Sequence, residues 1–215
     1  MFYPCKLLIF DFDGTLGDTA ATILSTYHDT LAELNLPAVT EKAARATIGL
    51  PLRECYRHMV SNASEELLDH CCDIHHRLFE VNSKRFKPQL YPEVAMTLEQ
   101  LHQQGIVLTV ASSRGHDSLC RILDSCGVLP LFSLILGAED VERAKPDPFP
   151  VLLTLRRLNY SAADAIIVGD MPVDVVMGKE AGCRTIAVDY GNATHEELLK
   201  ANPTAIISRF AELAK

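Results

Sequence analysis

The sequence has no excess of positive charge and no long apolar run. Its 215 residues include 20 lysines and arginines against 28 aspartates and glutamates, which gives a formal net charge of −8. A chain with this balance lacks the basic surface that attracts a phosphate backbone, which argues against nucleic acid as a partner. No apolar run approaches the ~18 residues of a membrane span, and the first residues lack the parts of a signal peptide. We therefore expect a cytoplasmic protein with no membrane partner.

Cysteine pairs with Cys-x-x-Cys spacing are also missing. The seven cysteines are an odd number, none is arranged as Cys-x-x-Cys, and they are scattered through apolar or helical stretches. Small secreted proteins that depend on disulfides are richer in cysteine, so we expect reduced, structural thiols. Residues 70–76 hold two cysteines and three histidines, and on a helix Cys72 would lie one turn before His75 and His76. No second ligand pair completes a zinc site, so we expect a polar helix face there.

Short apolar runs alternate with segments of helical periodicity along most of the chain. The runs that predict strands are 7–11, 106–111, 134–136, 165–169, 185–188 and 205–207. The segments that predict helices include 94–104, 116–126, 148–158 and 172–181. Continuously apolar strands separated by helices indicate an α/β protein with a doubly wound, Rossmann-like parallel sheet. Active sites of such sheets lie at the carboxyl ends of the strands.

Residues 17–87 interrupt this alternation. They contain no convincing strand, and their periodicity predicts helices over 18–34, 41–48, 52–60 and 64–85. A βαβ crossover needs only one helix, with flanking loops of about 2–6 residues. We therefore interpret 17–87 as an all-helical domain inserted into an α/β core made of residues 1–16 and 88–215.

Two aspartates follow the first predicted strand. If strand geometry continues, Asp11 and Asp13 lie on one side of the chain and Phe12 on the other. Adjacent carboxylates repel each other unless a cation lies between them, and Mg²⁺ is the usual oxygen-liganded cation in phosphoryl chemistry. Gly14 lets the backbone turn directly after the pair. The alternative is an acidic turn that merely closes a strand.

A second acidic pair follows the predicted strand 165–169. Asp170 comes at the end of this strand and can point into the same cleft as Asp11. Pro172 suits the first position of a helix, which places Asp174 in the first helical turn. There Asp174 could hold a metal-bound water or orient Asp170. Alternatively, it only interacts favourably with the helix N-terminus.

Two further segments carry groups that suit a phosphate. Ser112, Ser113 and Arg114 follow the predicted strand 106–111, where hydroxyl groups and free N–H groups at a helix start can cradle a phosphate. The alternative for Ser113 is a simple helix cap. Lys145 precedes Pro146, which keeps it out of helical geometry. It could neutralise a carboxylate and a phosphate oxygen together, or be an ordinary surface lysine.

Together these motifs resemble the haloacid dehalogenase superfamily from Lys6 to about Val188. The match consists of Asp-Phe-Asp-Gly-Thr-Leu at 11–16, a small hydroxyl residue after Val-Ala, Lys-Pro at 145–146, and Val-Gly-Asp at 168–170 followed by Asp174. The resemblance implies that Asp11 is the nucleophile and Asp13 the general acid and base. It implies that Ser112 and Lys145 bind phosphate and that the last acidic pair serves Mg²⁺. It also implies that residues 17–87 form the family's cap domain.

The activity implied by this resemblance is Mg²⁺-dependent hydrolysis of small phosphate monoesters, phosphoglycolate-like ones first, through an aspartyl-phosphate. The acidic residue Asp13 favours a phosphate ester, because the dehalogenase and phosphonatase branches typically have no acid at that position. Residues 48–54 are similar to the specificity loop of phosphoglycolate phosphatases. Arg53, or Arg45 in its place, could therefore reach a second anionic group of the substrate, and either could equally be a solvated surface residue.

Three alternatives stay open: a phosphosugar mutase, an inorganic pyrophosphatase of the same family, and a binding module without turnover. The expected partner is a small phosphorylated metabolite, and the expected assembly is a monomer or homodimer. The candidate catalytic residues are Asp11, Asp13 and Lys145. The candidate substrate- and phosphate-binding residues are Gly14, Arg53, Ser112, Ser113 and Arg114. The candidate metal ligands are Asp11, Asp13, Asp170 and Asp174.

Overall fold

The computed structural model describes residues 5–214, and a six-stranded parallel sheet forms its centre. In chain order the strands of this region are Leu7–Phe10 (β1), Gly17–Asp18 (β2), Gln89–Leu90 (β3), Val107–Ala111 (β4), Phe132–Leu136 (β5), Ala165–Gly169 (β6), Arg184–Val188 (β7) and Ala205–Ile207 (β8). The order across the sheet is β5-β4-β1-β6-β7-β8, and all neighbours run parallel. The doubly wound α/β architecture is confirmed.

The α-helices of the described region begin within two residues of the predicted positions wherever one was predicted. They are Ala20–Glu33 (α1), Glu41–Arg45 (α2), Leu52–Met59 (α3), Glu65–Arg85 (α4), Val94–Gln103 (α5), His116–Ser125 (α6), Phe149–Leu158 (α7), Pro172–Glu180 (α8) and His195–Ala201 (α9). Two features differ from the prediction. First, α2 ends three residues before the predicted position. The Thr47 hydroxyl then donates to the Ala44 carbonyl, and Gly49 has a φ of +98°. The second is α9, which was not predicted. None of these helices combines the length and apolar character that crossing a membrane requires.

Alternate residues of the strands serve opposite faces of the sheet. Leu8 and Phe10 of β1 pack in a cluster with α5 and α6, whereas Leu7 and Ile9 pack with α7 and α8. This is the period of two expected of a strand covered on both sides. Because both faces of the sheet are filled by side chains, the ends of the strands are the places left for a polar site.

The inserted helices α1–α4 pack around a hydrophobic cluster of their own, separate from the clusters at the sheet. The chain enters these helices through β2 and returns through β3, and the two form a short antiparallel pair. The expectation that 17–87 contains no strand is therefore wrong for Gly17–Asp18. A strand of two residues is too short for hydrophobic alternation to be visible in the sequence.

The cysteine- and histidine-rich segment lies within α4 and is not uniformly polar. Cys71 and His75 are buried, and the Tyr56 hydroxyl lies 2.8 Å from His75 Nδ1. Burial, with smaller contributions from His76 and Arg114, lowers the pKa of His75 to about 3 and keeps its ring neutral. The expected polar face is thus wrong for these two residues. In the described part of the chain this segment forms no group of metal ligands, and all seven cysteines are free thiols.

The substitution Leu68→Ala tests whether α1–α4 form a folding unit of their own. Leu68 is fully buried in their cluster, and truncating a buried leucine costs about 2–5 kcal/mol. We expect amide hydrogen exchange to accelerate in α1–α4 far more than in the central strands. The control is Leu199→Ala, because Leu199 is 56% exposed and surface truncations change stability little. Equal acceleration in the helices and in the sheet would contradict a separate unit.

Candidate active site

The polar groups of the site collect at the carboxyl ends of β1 and β6. These strands are neighbours, and their onward connections leave in opposite directions, towards β4 and towards β7. Open α/β sheets bind ligands at such switch points. Asp11 follows β1, Asp170 follows β6, and Asp174 lies in the first turn of α8, as the sequence predicted. The topology therefore brings together acids that are more than 150 residues apart in the chain.

Three carboxylates and one ammonium group form the centre of the site. One oxygen from each of Asp11, Asp170 and Asp174 lies within 4.8 Å of the others, and all three residues are buried. Lys145, also buried, places Nζ 2.6 Å from Asp11 Oδ1 and 2.7 Å from Asp174 Oδ1. The predicted role of Lys145 in neutralising a carboxylate matches this geometry. One cation nevertheless faces three acids.

The imbalance shows in the protonation behaviour of the cluster. Burial raises the pKa of Asp11 to about 7, with Lys145 opposing the rise and Asp174 and Asp13 adding to it. The pKa of Asp170 is also raised well above its usual range, first by burial and then by Asp11 and Asp174. Burial alone would lower the pKa of Lys145. Asp11 and Asp174 outweigh this effect, so the pKa is raised overall and the ammonium group stays charged. The single positive charge of Lys145 therefore does not compensate the three carboxylates.

This chemistry suits a hard divalent cation. The three side chains offer only oxygen donors, which Mg²⁺ prefers. Asp11 Oδ2 is buried and has no hydrogen-bond partner among residues 5–214. A buried charged oxygen without a partner is costly, and a cation bound by the three acids would remove that cost. The residues present therefore fit Mg²⁺.

Gly14 and Gly169 allow the acids to come close. Gly14 has φ +91°, a conformation that residues with a side chain rarely adopt. A Cβ atom at Gly14 would overlap the carboxylate of Asp170, and one at Gly169 would overlap the side chain of Asp174. The structure thus gives Gly14 a part in shaping the acidic cluster, whereas it was predicted among the substrate-binding residues.

Asn192 is a site residue that sequence reasoning missed. Its backbone N–H and its side-chain Nδ2 both donate to Asp170 Oδ2, at 2.7 and 3.0 Å, and Nδ2 also lies 3.3 Å from the Asp13 carbonyl oxygen. Its Oδ1 accepts from Arg45 Nη1 at 3.2 Å. The signal in the sequence was a polar residue in the loop after the predicted strand 185–188. That loop, like the others, leaves the carboxyl end of its strand.

Asp13 does not join the acidic cluster. Its carboxylate accepts from the Thr19 hydroxyl at 2.6 Å and from Arg114 Nε at 3.0 and 3.1 Å. The prediction that this carboxylate binds the metal is therefore not met by the geometry. Strand β1 ends at Phe10, and the backbone turns through residues 12–17, so the same-side rule no longer applies at Asp13.

The serines predicted to bind phosphate have different surroundings. Ser112 lines the cleft beside the acids, and its hydroxyl accepts the Arg114 backbone N–H at 3.3 Å. The Ser113 hydroxyl instead donates to the Gly49 carbonyl at 2.6 Å, which ties the core to the inserted helices. Ser113 is thus engaged in a contact between two parts of the chain, which the sequence pattern could not show.

The arginines predicted to reach a second anionic group are both paired elsewhere. Arg53 donates to Glu65 Oε2 at 2.7 Å and forms an ion pair with Asp69, both on α4. Arg45 pairs with Glu41 at 2.8 Å besides contacting Asn192. Arg53 still lines the cleft, but its charge is compensated by two exposed carboxylates, so the prediction for it is not supported.

A cleft of about 640 Å³ lies over this centre. Its floor includes Asp11, Asp13 and Ser112 from the loops after β1 and β4, and its roof includes Leu52 and Phe79 from α3 and α4. The cleft therefore leaves room for a small molecule next to Asp11 and Asp13.

Asn192→Ala should weaken Mg²⁺ binding. The change removes a hydrogen bond to Asp170 and one to the Asp13 carbonyl, and loss of a group that orients a metal ligand typically costs about 10–100-fold in metal affinity. Isothermal titration of metal-free protein with Mg²⁺ measures the effect, and Gln100→Ala, which removes an exposed amide on α5, is the control. Unchanged affinity in Asn192→Ala would contradict this role.

Comparison with known proteins agrees with the geometry. A family model described as haloacid dehalogenase-like hydrolase matches residues 8–188. A Dickeya dadantii protein named "Probable phosphatase IndB" is 35% identical over 209 residues, covering 96% of this chain and 91% of that protein. A phosphoglycolate phosphatase of Yersinia pseudotuberculosis is 31% identical over 224 residues, covering 99% and 93%. The crystal structure of a haloacid dehalogenase-like hydrolase from Bacteroides fragilis is similar with a TM-score of 0.92 at 26% identity, covering 97% and 99%. The chain belongs to the haloacid dehalogenase-like hydrolase family.

Proposed function

We propose that the protein is a Mg²⁺-dependent phosphatase that hydrolyses small phosphate monoesters through an aspartyl-phosphate on Asp11. The observation that carries the proposal is the position of Asp11. It lines the cleft, lies 2.6 Å from Lys145, and keeps one buried carboxylate oxygen without a partner among the described residues. A carboxylate in such surroundings can attack phosphorus, which divides one difficult displacement into two easier ones.

In the proposed reaction Asp11 forms and breaks the bond to phosphorus, and Asp13 transfers the protons. In the first step the Asp11 carboxylate forms a bond to phosphorus, the ester P–O bond breaks, and Asp13 gives its proton to the departing oxygen. In the second step Asp13 takes a proton from water, the water oxygen bonds to phosphorus, and the bond from phosphorus to Asp11 breaks. Inorganic phosphate leaves and both aspartates return to their starting states.

Positive charge around the transferred group is the other requirement of phosphoryl transfer. Lys145 supplies a fixed cation that two carboxylates hold in place. Asp11, Asp170 and Asp174 are the residues that would hold Mg²⁺, which when bound supplies further positive charge against the phosphoryl oxygens. Ser112 lines the cleft, and its hydroxyl is proposed to bind a phosphate oxygen.

Residues 17–87 are proposed as a cap over the α/β core of 1–16 and 88–215. The β2–β3 pair connects the two parts, and the Ser113–Gly49 bond and the stacking of Arg114 on Phe79, at 4.7 Å, join them across the cleft. Closure of such a cap would exclude water while the ester is cleaved. A short connection with few crossing bonds suits this motion.

The proposed substrate is a small phosphorylated metabolite, with phosphoglycolate-like esters first. Relatives named phosphoglycolate phosphatase support this choice. The run Lys-Pro-Asp-Pro at 145–148 resembles that of phosphatases and related pyrophosphatases more than that of mutases. The cytoplasm is the proposed location, which suits a chain whose cysteines are all free thiols.

Phosphate release tests the proposal directly. We expect purified protein to release phosphate from 2-phosphoglycolate or other small monoesters only with Mg²⁺, and Asp11→Asn to abolish release because an amide cannot act as the nucleophile. Leu199→Ala serves as the control variant. Turnover that persists in Asp11→Asn, or without any divalent cation, would contradict the proposal. A sugar phosphate isomerised without phosphate release would identify a mutase, and cleavage of pyrophosphate alone would identify a pyrophosphatase.

A further inference from the structure

Three arginines line the cleft, and only one of them faces the reacting groups. Arg53 and Arg121 lie towards its outer side, with side chains 33% and 63% exposed, and both pair with acids of α4. The side chain of Arg114 is only 7% exposed and pairs with Asp13. Its charge is therefore the least screened of the three.

The guanidinium group of Arg114 donates hydrogen bonds to both carboxylate oxygens of Asp13. Nε lies 3.1 and 3.0 Å from the two carboxylate oxygens of Asp13, and Nη2 lies 2.5 Å from Oδ1. Asp13 is the residue proposed to protonate the ester oxygen, so it must lie within hydrogen-bond distance of that oxygen. A guanidinium in contact with both Asp13 oxygens consequently lies next to the first atoms of the leaving group.

The guanidinium group of Arg114 still has N–H donors that can bind a substrate. Arginine has five N–H donors. One from Nε and one from Nη2 go to Asp13, and one from Nη1 goes to Ser118 Oγ at 3.2 Å. The other two have no acceptor among residues 5–214. The ring of Phe79 stacks on the guanidinium at 4.7 Å, and that of Phe12 lies at 5.8 Å, so its plane is held while one edge borders the cleft.

We propose that Arg114 binds a carboxylate of the leaving group, and that the substrates are phosphate esters in which this carboxylate is attached to the carbon that bears the ester oxygen. The planar fork of arginine matches a carboxylate, and in a 2-phosphorylated acid that group lies only two bonds from the ester oxygen. Arg114 thus takes the part that the sequence suggested for Arg53. This inference rests on the proposed phosphatase activity.

Two substrates of similar size separate recognition by Arg114 from its effect on Asp13. 2-Phosphoglycolate carries the carboxylate, and 2-hydroxyethyl phosphate replaces it with a neutral CH₂OH group. We expect kcat/KM of the unmodified protein to favour 2-phosphoglycolate by roughly tenfold to hundredfold, the range for hydrogen bonds to a charged group. Arg114→Met should abolish most of that preference, and Arg114→Lys should restore part of it.

The ratio of the two kcat/KM values is the decisive quantity. Any harm that Arg114→Met does to Asp13 or to folding affects both substrates equally and cancels in the ratio. Arg121→Met removes an exposed cation at the rim of the cleft and should leave the ratio unchanged. A ratio unaltered in Arg114→Met, or a native preference for the neutral ester, would overturn the inference and leave the phosphatase activity standing. Failure to hydrolyse these and all other monoesters would instead remove the proposed function.

Discussion

The buried excess of negative charge at the ends of β1 and β6 is the constraint on which the site depends. Lys145 compensates one oxygen of Asp11 and one of Asp174, and no described cation pairs with Asp170. Burial raises the pKa values of Asp11 and Asp170 because the charged forms lose hydration. A divalent cation held by these acids would remove this penalty and would supply positive charge against a phosphoryl group. The same imbalance that disfavours the metal-free cluster thus suits it to phosphate chemistry.

Uncharged hydrogen-bond donors around the cluster hold the carboxylates of Asp170 and Asp174 in place. Thr15 and Asn192 donate to the two oxygens of Asp170, and the Met171 N–H at the start of α8 donates to Asp174. Such neutral donors fix a carboxylate while leaving lone pairs for a metal. Asn192 also contacts Arg45 of the inserted helices. The acidic cluster and the inserted helices are therefore linked by a short series of hydrogen bonds.

Residues whose position follows from topology could be predicted from the sequence, and those whose role follows from side-chain contacts could not. Asp11 and Asp170 were placed correctly because the carboxyl ends of adjacent parallel strands must meet. Asp13 was assigned to the metal because strand alternation was extended beyond Phe10, where the backbone in fact turns. Arg53 and Ser113 found partners on other elements, and no local pattern encodes such partners. Asn192 was missed because a single polar residue in a late loop has no recognisable spacing.

The proposed mechanism requires that the phosphoryl group is transferred to Asp11 before it reaches water. Rapid mixing of enzyme, Mg²⁺ and a cleavable monoester, followed by acid quench and peptide mass mapping, detects the intermediate directly. We expect a hydroxylamine-sensitive phosphoryl group on Asp11 that appears before the steady state and is absent in Asp11→Asn. Rapid turnover that leaves every quenched peptide unmodified, or a phosphoryl group on another residue, would contradict it.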